Sequence, residues 1–162
     1  MFDIKLMQKA ESLLKQCGDK HMRVATAESC TGGLIAALLT EIPGSSVVIG
    51  RSFITYSNRA KHEILNVPVD VLKQHGAVSE AVVRAMAQNT FDMTSAALTV
   101  AVSGIAGPGG GSAEKPAGTV HMATATADGI THFCHQFGDI GRSEVRMATV
   151  DAAMDMMLAR LG

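Results

Sequence analysis

Residues 22–39 read MRVATAESCTGGLIAALL and change character twice along their length. The first part predicts a short strand over Met22–Ala27, and the apolar last part predicts a helix over Leu34–Leu39. Between them, Glu28–Gly33 supply a carboxylate, two hydroxyls, a thiol and two glycines. A strand that runs directly into a helix is a building unit of α/β domains. The polar residues at the junction either cap the helix or form a reactive centre.

The rest of the chain continues this alternation of strands and helices. The other predicted helices are residues 4–16, a helix through Ala60 and Leu65, Pro68–Gln74, Glu80–Met93 and Glu144–Leu161. The other predicted strands are Ser46–Tyr56, Ala96–Ser103, Thr119–Thr126 and Ile130–Phe137. The expected N-caps are Ser57 or Asn58, Ser79 and Ser143. We therefore expect one domain over residues 1–162, an α/β fold built as a three-layer α/β/α sandwich around a mixed β-sheet.

Composition excludes several classes of protein. The chain has 162 residues, a formal net charge of −1 and no basic stripe, which argues against nucleic acid or an anionic membrane surface as partner. No apolar run reaches the ~18 residues of a membrane helix, and the N-terminus lacks the pattern of a signal peptide. Cys17, Cys30 and Cys134 are odd in number and form no C-x-x-C pair, which indicates reduced cysteines in a cytoplasmic protein without a metal site.

The junction at residues 28–33 lies where α/β sheets bind ligands, at the end of a strand. Gly32 and Gly33 let the backbone approach a ligand, and the first N–H groups of the helix could hold an anion or an oxyanion. The alternative is a Ser or Thr N-cap, with Glu28 favourable near the helix start. Spacing alone favours the cap, and the G-x-S-x-G pattern of α/β-hydrolases is absent around Ser29.

A reactive serine needs a base, and the six histidines follow no recognisable pattern. The segment ITYSNRAKHEIL, residues 54–65, offers Lys61 together with Tyr56, the only tyrosine of the chain. A lysine can act as a base where desolvation lowers its pKa. The alternatives are a solvated helix lysine and a tyrosine used for packing.

Two further segments could bind an anion. Residues 104–118, GIAGPGGGSAEKPAG, fit neither a Walker A loop nor G-x-G-x-x-G, yet their backbone N–H groups could cradle a phosphate. In GRSEVR, residues 141–146, Arg142 and Arg146 are spaced i and i+4 and could bind a phosphate or carboxylate together. The alternatives are a mobile surface loop and a solvated charged face.

Taken in order, five segments resemble the C-terminal domain of the CinA competence/damage-inducible family. They are AESCTGGL, ITYSNRAKHEILNVP, HGAVSEAVVRAMA, VAVSGIAGPGGGSAEKPAGTVH and GRSEVR. The resemblance extends from about Leu6 to the C-terminus and is strongest to stand-alone members that are nicotinamide-nucleotide amidohydrolases. Longer members carry an N-terminal domain resembling molybdopterin-binding proteins, for which this chain is too short. The resemblance implies hydrolysis of the carboxamide of nicotinamide mononucleotide to nicotinate mononucleotide and ammonia, in pyridine nucleotide salvage, without metal or cofactor.

The resemblance also implies roles for individual residues. Ser29 would be the nucleophile, Lys61 would take its proton, and Tyr56 would orient Lys61 or relay that proton, while Cys30 would pack. The residues implied in binding the substrate are Thr31, Gly32 and Gly33 as backbone donors at the carbonyl, Ser103 through its hydroxyl, and Gly104, Gly107, Gly109, Gly110 and Arg142 at the phosphate and ribose. The sequence FGDIGR departs from the F-x-G-D-R pattern of many relatives, with Gly-Arg in place of Asp-Arg. We therefore expect Arg142 to approach the site differently from the arginine of those relatives.

Two other functions compete with the amidohydrolase. One is a nucleotide-binding or regulatory module that keeps the pocket without turnover, and the other is an interaction domain for DNA uptake or repair. The intact set of Ser29, Tyr56 and Lys61 favours the enzyme over the first, and the missing basic patch argues against the second. We expect a homo-oligomer, in the form of a dimer, because the methionine-rich last helix could supply an interface, although it could equally belong to the core.

Overall fold

Five strands form one sheet in the computed structural model of the protein, which describes residues 2–162. The strands are β1 (Val24–Glu28), β2 (Ile49–Ile54), β3 (Leu98–Gly104), β4 (Thr119–Thr126) and β5 (Gly129–Gln136). Their order across the sheet is β2-β1-β3-β4-β5. Strands β2, β1 and β3 are parallel, whereas β4 and β5 add an antiparallel hairpin. The prediction of a mixed sheet is confirmed.

Six α-helices cover the two faces of this sheet over the residues that the structure describes. One face carries α1 (Ile4–Asp19), α2 (Leu34–Glu41) and α6 (Arg142–Ala159), and the other carries α3 (Asn58–Leu65), α4 (Val69–His75) and α5 (Glu80–Asp92). Each face has its own buried apolar cluster. Helices on both faces make the three layers that the sequence predicts. None of these helices is long and apolar enough to cross a membrane.

The central strand β3 is buried almost throughout, and its sequence LTVAVSG is mostly apolar, with Thr99 and Ser103 as the polar exceptions. Val100 and Val102 point into the cluster under α1, α2 and α6, whereas Ala101 points into the cluster under α5. Because side chains alternate across a strand, a strand buried on both faces reads as a continuous apolar run. On the α5 side three strands contribute buried alanines, which let the helix pack close to the sheet.

The prediction of one long strand over Ser46–Tyr56 is wrong at both ends. A short 3₁₀ turn occupies Ser45–Val47, and the strand covers only Ile49–Ile54. Gly44 has a left-handed backbone with φ of 83°, and Val48 has a helical backbone, so the chain bends before it can extend. Tyr56 therefore lies beyond the strand, in the connection to α3.

The predicted caps at Ser57 and Ser79 are confirmed, and the one at Ser143 is wrong. The Ser57 hydroxyl accepts the N–H of Ala60 at 3.0 Å, and the Ser79 hydroxyl accepts the N–H of Val82 at 3.3 Å. Helix α6 starts earlier than predicted, after Gly141, whose φ of 99° is unfavourable for residues with a side chain. Ser143 thus falls inside the first turn.

The methionines of α6 contribute mostly to the core. Met154 and Met157 are fully buried, and Met156 is nearly so, in the cluster that α6 shares with α1. Met147 is half-buried at the edge of the same cluster. Of the two uses considered for these residues, packing is the one observed, and the expected homo-oligomer stays a prediction.

Candidate active site

Ser29 lies where β1 leaves the sheet, at the edge formed by the carboxyl ends of the parallel strands. Its backbone N–H donates to the carbonyl of Val102 on β3 at 3.1 Å. Gly32 and Gly33 then turn the chain into α2 with φ values of 60° and 97°. A Cβ on Gly33 would also lie 2.9 Å from Ile54 on β2, so glycine serves both the turn and the close approach.

Lys61 brings its amine to the Ser29 hydroxyl. The Nζ to Oγ distance is 2.9 Å, and the same amine donates to the Thr55 carbonyl at 2.8 Å. The Ser57 cap starts α3 one turn before Lys61 and so aims this side chain back at the sheet edge. Only 1% of Lys61 is exposed, so it is not the solvated helix lysine of the alternative interpretation.

Burial changes the chemistry of this amine. Desolvation lowers the pKa of Lys61 from 10.5 to about 8, and the nearby Cys30 opposes the shift only in part. A neutral amine is therefore accessible near physiological pH, and it can accept the proton of Ser29. The opposite holds for Cys30, whose pKa burial raises to about 11, which disfavours the thiolate.

Tyr56 contacts this pair through its backbone and not through its phenol. Its carbonyl oxygen lies 3.5 Å from Lys61 Nζ, whereas its hydroxyl accepts from Arg142 Nη2 at 2.7 Å. The side chain is 59% exposed. In this geometry the Tyr56 carbonyl contacts Lys61, whereas the Tyr56 hydroxyl contacts Arg142.

Glu28 does more than favour the helix start through its charge, the role that the sequence predicts for it. Its fully buried carboxylate accepts five hydrogen bonds between 2.7 and 3.1 Å. The donors are the hydroxyls of Thr26 and Thr31 and the backbone N–H groups of Gly33, Ile35 and Ala36. Glu28, and not a serine or threonine, therefore caps α2. The side chain that caps α2 is therefore not that of Ser29, which leaves the Ser29 hydroxyl free to contact Lys61.

The three residues expected to donate at the substrate carbonyl are already partly committed. The N–H of Gly33 donates to Glu28 at 3.0 Å, and the N–H of Gly32 donates to the Ser29 carbonyl at 3.1 Å. Thr31 donates its hydroxyl to Glu28 at 2.7 Å. Ser103, nearly fully buried, donates to the Ala77 carbonyl at 2.8 Å and so anchors the segment before α5.

Two arginines at the start of α6 reach the site. Arg142 donates to the Gly107 carbonyl at 3.0 Å as well as to Tyr56, and Arg146 donates to the carbonyls of Cys30 and Thr31 at 3.1 and 2.8 Å. All these acceptors are neutral oxygens. Within residues 2–162, neither arginine forms an ion pair with a carboxylate. Their positive charges are therefore available to an anionic ligand.

The glycine-rich loop, residues 104–118, contacts Arg142 through one residue. Gly104 ends β3 where a Cβ would lie 2.6 Å from Val120, and Gly107, Gly109 and Gly110 have positive φ. Gly107 offers its carbonyl to Arg142. Hydrogen bonds between Ile105 and residues 118–119 hold the two ends of the loop together. The loop thus borders the site through Gly107, whereas Gly109 and Gly110 make no hydrogen bond to Arg142.

A histidine pair lies on the α5 face of the β4–β5 hairpin. His121 Nδ1 is 3.0 Å from His132 Nε2, and burial lowers the pKa of both imidazoles. The sequence gives no sign of this pair because the two histidines are 11 residues apart and meet only across the hairpin. Over residues 2–162, no three His, Cys, Asp or Glu side chains are grouped so as to hold a metal ion.

Fold and site together define an α/β domain that presents a buried serine–lysine pair at the carboxyl edge of a mixed sheet. The chain belongs to the family of the CinA C-terminal domain, whose family model matches residues 6–161. The crystal structure of the competence/damage inducible protein CihA from Agrobacterium tumefaciens is similar, with a TM-score of 0.96, 47% identity and coverage of 98% of this chain and 97% of that one. A CinA superfamily protein from Klebsiella pneumoniae is also similar, with a TM-score of 0.91, 31% identity and coverage of 96% and 97%.

Curated relatives are longer proteins. A CinA-like protein of Parasynechococcus marenigrum (strain WH8102) is 46% identical over 151 residues, which are 93% of this chain and 35% of that protein. A CinA-like protein of Colwellia psychrerythraea is 52% identical over 125 residues, which are 77% of this chain and 29% of that protein. The chain spans about a third of the length of the curated relatives it matches.

Proposed function

We propose that the protein hydrolyses the carboxamide of nicotinamide mononucleotide to nicotinate mononucleotide and ammonia, as an amidase of pyridine nucleotide salvage. The observation that carries this proposal is the 2.9 Å contact between Ser29 Oγ and a buried Lys61 amine whose pKa burial lowers to about 8. A hydroxyl beside an amine that is partly neutral at working pH is an activated nucleophile. The sequence resemblance described above supplies the substrate.

The reaction follows from these two side chains. Neutral Lys61 accepts the proton of Ser29 as Oγ attacks the carboxamide carbon, and the carbonyl electron pair moves onto oxygen. The Lys61 ammonium then gives its proton to the departing nitrogen, so ammonia leaves and an ester to Ser29 remains. Water attacks this ester with Lys61 again as base, which releases nicotinate mononucleotide and restores Ser29. The pyridinium ring withdraws electrons from the amide carbon and favours the first step.

Charge in the site supports a phosphate-bearing substrate. Arg142 and Arg146 carry no ion pair in the described part of the chain, and the overall charge of the protein is close to zero. Two local positive charges on such a protein suit a small anion better than a polyanion. In our proposal the phosphate takes the place of Tyr56 and Gly107 as the acceptor of Arg142, beside the glycine-rich loop.

Ammonia release from nicotinamide mononucleotide tests the proposal, for the wild type, Ser29→Ala and Cys30→Ala. We expect Ser29→Ala to lose on the order of 10⁴-fold in kcat and the neighbouring Cys30→Ala to stay within about tenfold of the wild type. The product is identified by chromatography as nicotinate mononucleotide. A wild type that binds the nucleotide without releasing ammonia would favour the regulatory module instead. Full activity of Ser29→Ala would refute the choice of nucleophile.

A further inference from the structure

The turn that carries Ser29 commits some of its backbone N–H groups and leaves others unused. Those of Ser29, Gly32 and Gly33 donate to Val102, to Ser29 and to Glu28. Within residues 2–162, the N–H groups of Cys30 and Thr31 donate to no oxygen or nitrogen. They act instead on the Cys30 thiol, where they oppose the rise in pKa that burial causes. Two adjacent amides beside a nucleophile are therefore without an oxygen acceptor.

Glu28 prevents the backbone N–H groups at the start of α2 from binding a substrate oxygen. The N–H groups of Gly33, Ile35 and Ala36 would be the obvious donors to an anion at a helix N-terminus. All three donate to the buried carboxylate of Glu28 at 2.9–3.1 Å. A substrate oxygen that displaced Glu28 would leave a buried carboxylate without donors, so the helix start is closed to substrate.

Arg146 fixes the direction of one of these two amides, the Thr31 N–H, from the other side. Its Nε donates to the Cys30 carbonyl and its Nη2 donates to the Thr31 carbonyl. In a trans peptide unit the N–H points away from the C=O of the same plane. The Thr31 N–H therefore points away from Arg146, and the cation at the Cys30 carbonyl polarises this peptide unit so that its N–H becomes a better donor.

We propose that the N–H groups of Cys30 and Thr31 bind the oxyanion that forms when Ser29 attacks the carboxamide, and that Glu28 and Arg146 are positioning residues for them. Cys30 follows the nucleophile directly, the place from which an oxyanion donor commonly comes. The inference rests on the proposed function and replaces Gly32 and Gly33 as the donors that the sequence indicated. The amide oxygen becomes an alkoxide here, so the donors act on charge that appears only during reaction.

Replacing single backbone amides by esters tests the donors directly. Incorporating the α-hydroxy acid analogue of threonine at Thr31 exchanges N–H for oxygen and keeps the side chain. We expect kcat/KM for nicotinamide mononucleotide to fall about 10²-fold or more, with KM nearly unchanged. The matched control is the same exchange at Leu34, whose N–H donates to the Thr31 carbonyl at 3.3 Å within the turn. Equal kcat/KM for both esters, or a loss carried wholly by KM, would overturn the proposal.

An aldehyde analogue of the substrate tests the positioning role of Arg146 without turnover. In nicotinaldehyde mononucleotide, Ser29 Oγ adds to the aldehyde carbon, its proton passes to Lys61, and the carbonyl oxygen becomes the hemiacetal oxygen. We expect Arg146→Lys to weaken binding of this aldehyde about tenfold more than binding of nicotinate mononucleotide, because lysine cannot hold two carbonyls in one plane. Equal weakening of both ligands would overturn the positioning role.

The two readouts separate this inference from the proposed function. Hemiacetal formation is followed by ¹³C NMR of a labelled aldehyde and needs no ammonia release. A wild type that captures the aldehyde yet releases no ammonia would refute the amidase and keep the oxyanion site. A wild type that releases ammonia while the Thr31 ester is fully active would refute only the oxyanion site.

Discussion

Glu28 and Lys61 are both shielded from solvent beside Ser29, with 0% and 1% of their surface exposed. Glu28 belongs to the α2 side of the turn, and its carboxylate accepts five hydrogen bonds. Lys61 belongs to α3, and its amine has two close partners, Ser29 Oγ and the Thr55 carbonyl, with a third oxygen at 3.5 Å. Two buried charges at one turn thus have very different surroundings.

This difference suits Glu28 to a structural role and Lys61 to a chemical one. A carboxylate that accepts five hydrogen bonds holds the backbone in place. An amine with few acceptors and no acidic partner loses stability when charged, so its pKa falls to about 8. A buried ammonium with few acceptors is costly for folding, yet the lowered pKa is the property that our proposal requires of a base at moderate pH.

Of the two buried residues compared here, Lys61 should give the larger effect on activity when it is removed, and its removal should move activity and stability in opposite directions. We expect Lys61→Met to lower kcat about 10³-fold, because the proposed base is lost, and to raise the free energy of unfolding at pH 7, because a buried charge is removed. Ammonia release and urea unfolding measure the two effects. The control Lys73→Met removes an exposed lysine of α4 and should change neither. A Lys61→Met variant less stable than the wild type would contradict the view that the Lys61 amine, unlike the Glu28 carboxylate, destabilises the fold.

Lys61→Met should also lose the part of the pH dependence of stability that comes from the titration of Lys61. The folded-state pKa of Lys61 lies below its unfolded value of 10.5, so between about pH 8 and 10.5 the unfolded chain holds more protons at this residue. Its contribution to the free energy of unfolding therefore rises with pH across that window. Unfolding curves of Lys61→Met should lack this rise, and identical slopes in both proteins would argue against a lowered pKa.

Glu28→Gln should destabilise the fold strongly. The amide presents an NH₂ group to donors that now face a carboxylate, so we expect a loss of about 3 kcal/mol in the free energy of unfolding. The matched control is Glu63→Gln, which breaks an exposed ion pair with Arg59 and should cost well under 1 kcal/mol. Thermal and urea unfolding compare the two variants. Equal stability of both would show that Glu28 is not the anchor of the turn.

Activity should rise with pH through the range in which Lys61 loses its proton. Only the neutral amine accepts a proton from Ser29, so kcat/KM for nicotinamide mononucleotide should increase about tenfold per pH unit below pH 8 and level off above it. The profile is measured from ammonia release at low substrate concentration. A rate that is flat from pH 6 to 9 would exclude Lys61 as the base.

Tyr56→Phe should have the smallest effect. The hydroxyl contacts Arg142 and not Lys61, so its loss should raise KM by about threefold to tenfold and leave the pH profile unchanged. Steady-state kinetics at several pH values measure both quantities. A large fall in kcat with a shifted profile would instead support the proton relay through Tyr56 that the sequence resemblance suggested.

The fold was largely predictable because its signals are local. The apolar run at residues 96–103 and the strand-to-helix junction at Ser29 depend on neighbours in sequence, and both are confirmed. The error at the start of Ser46–Tyr56 arose because Val47 and Val48, residues that favour strands, lie in the turn before the strand. Gly141 was missed as the start of α6 because it supplies a backbone conformation and no capping side chain.

The site was less predictable because its contacts are distant in sequence. Ser29 and Lys61 are 32 residues apart, and Tyr56 and Arg142 are 86 apart, so only the sheet order brings them together. Residue type alone does not reveal that the Tyr56 hydroxyl turns toward Arg142. The capping role of Glu28 is local, yet it depends on which face of β1 the side chain leaves, and the sequence pattern did not fix that face.

The most direct measurement is the titration of the Lys61 amine itself. Lysine side chains labelled at Nζ and Cε can be followed by NMR, with Lys61→Met used to assign the signal. Our interpretation of the buried serine–lysine pair predicts a pKa of about 8 for Lys61 in the wild type. A value at the ordinary 10.5 would contradict it, because Lys61 would then be a permanent cation and not a base.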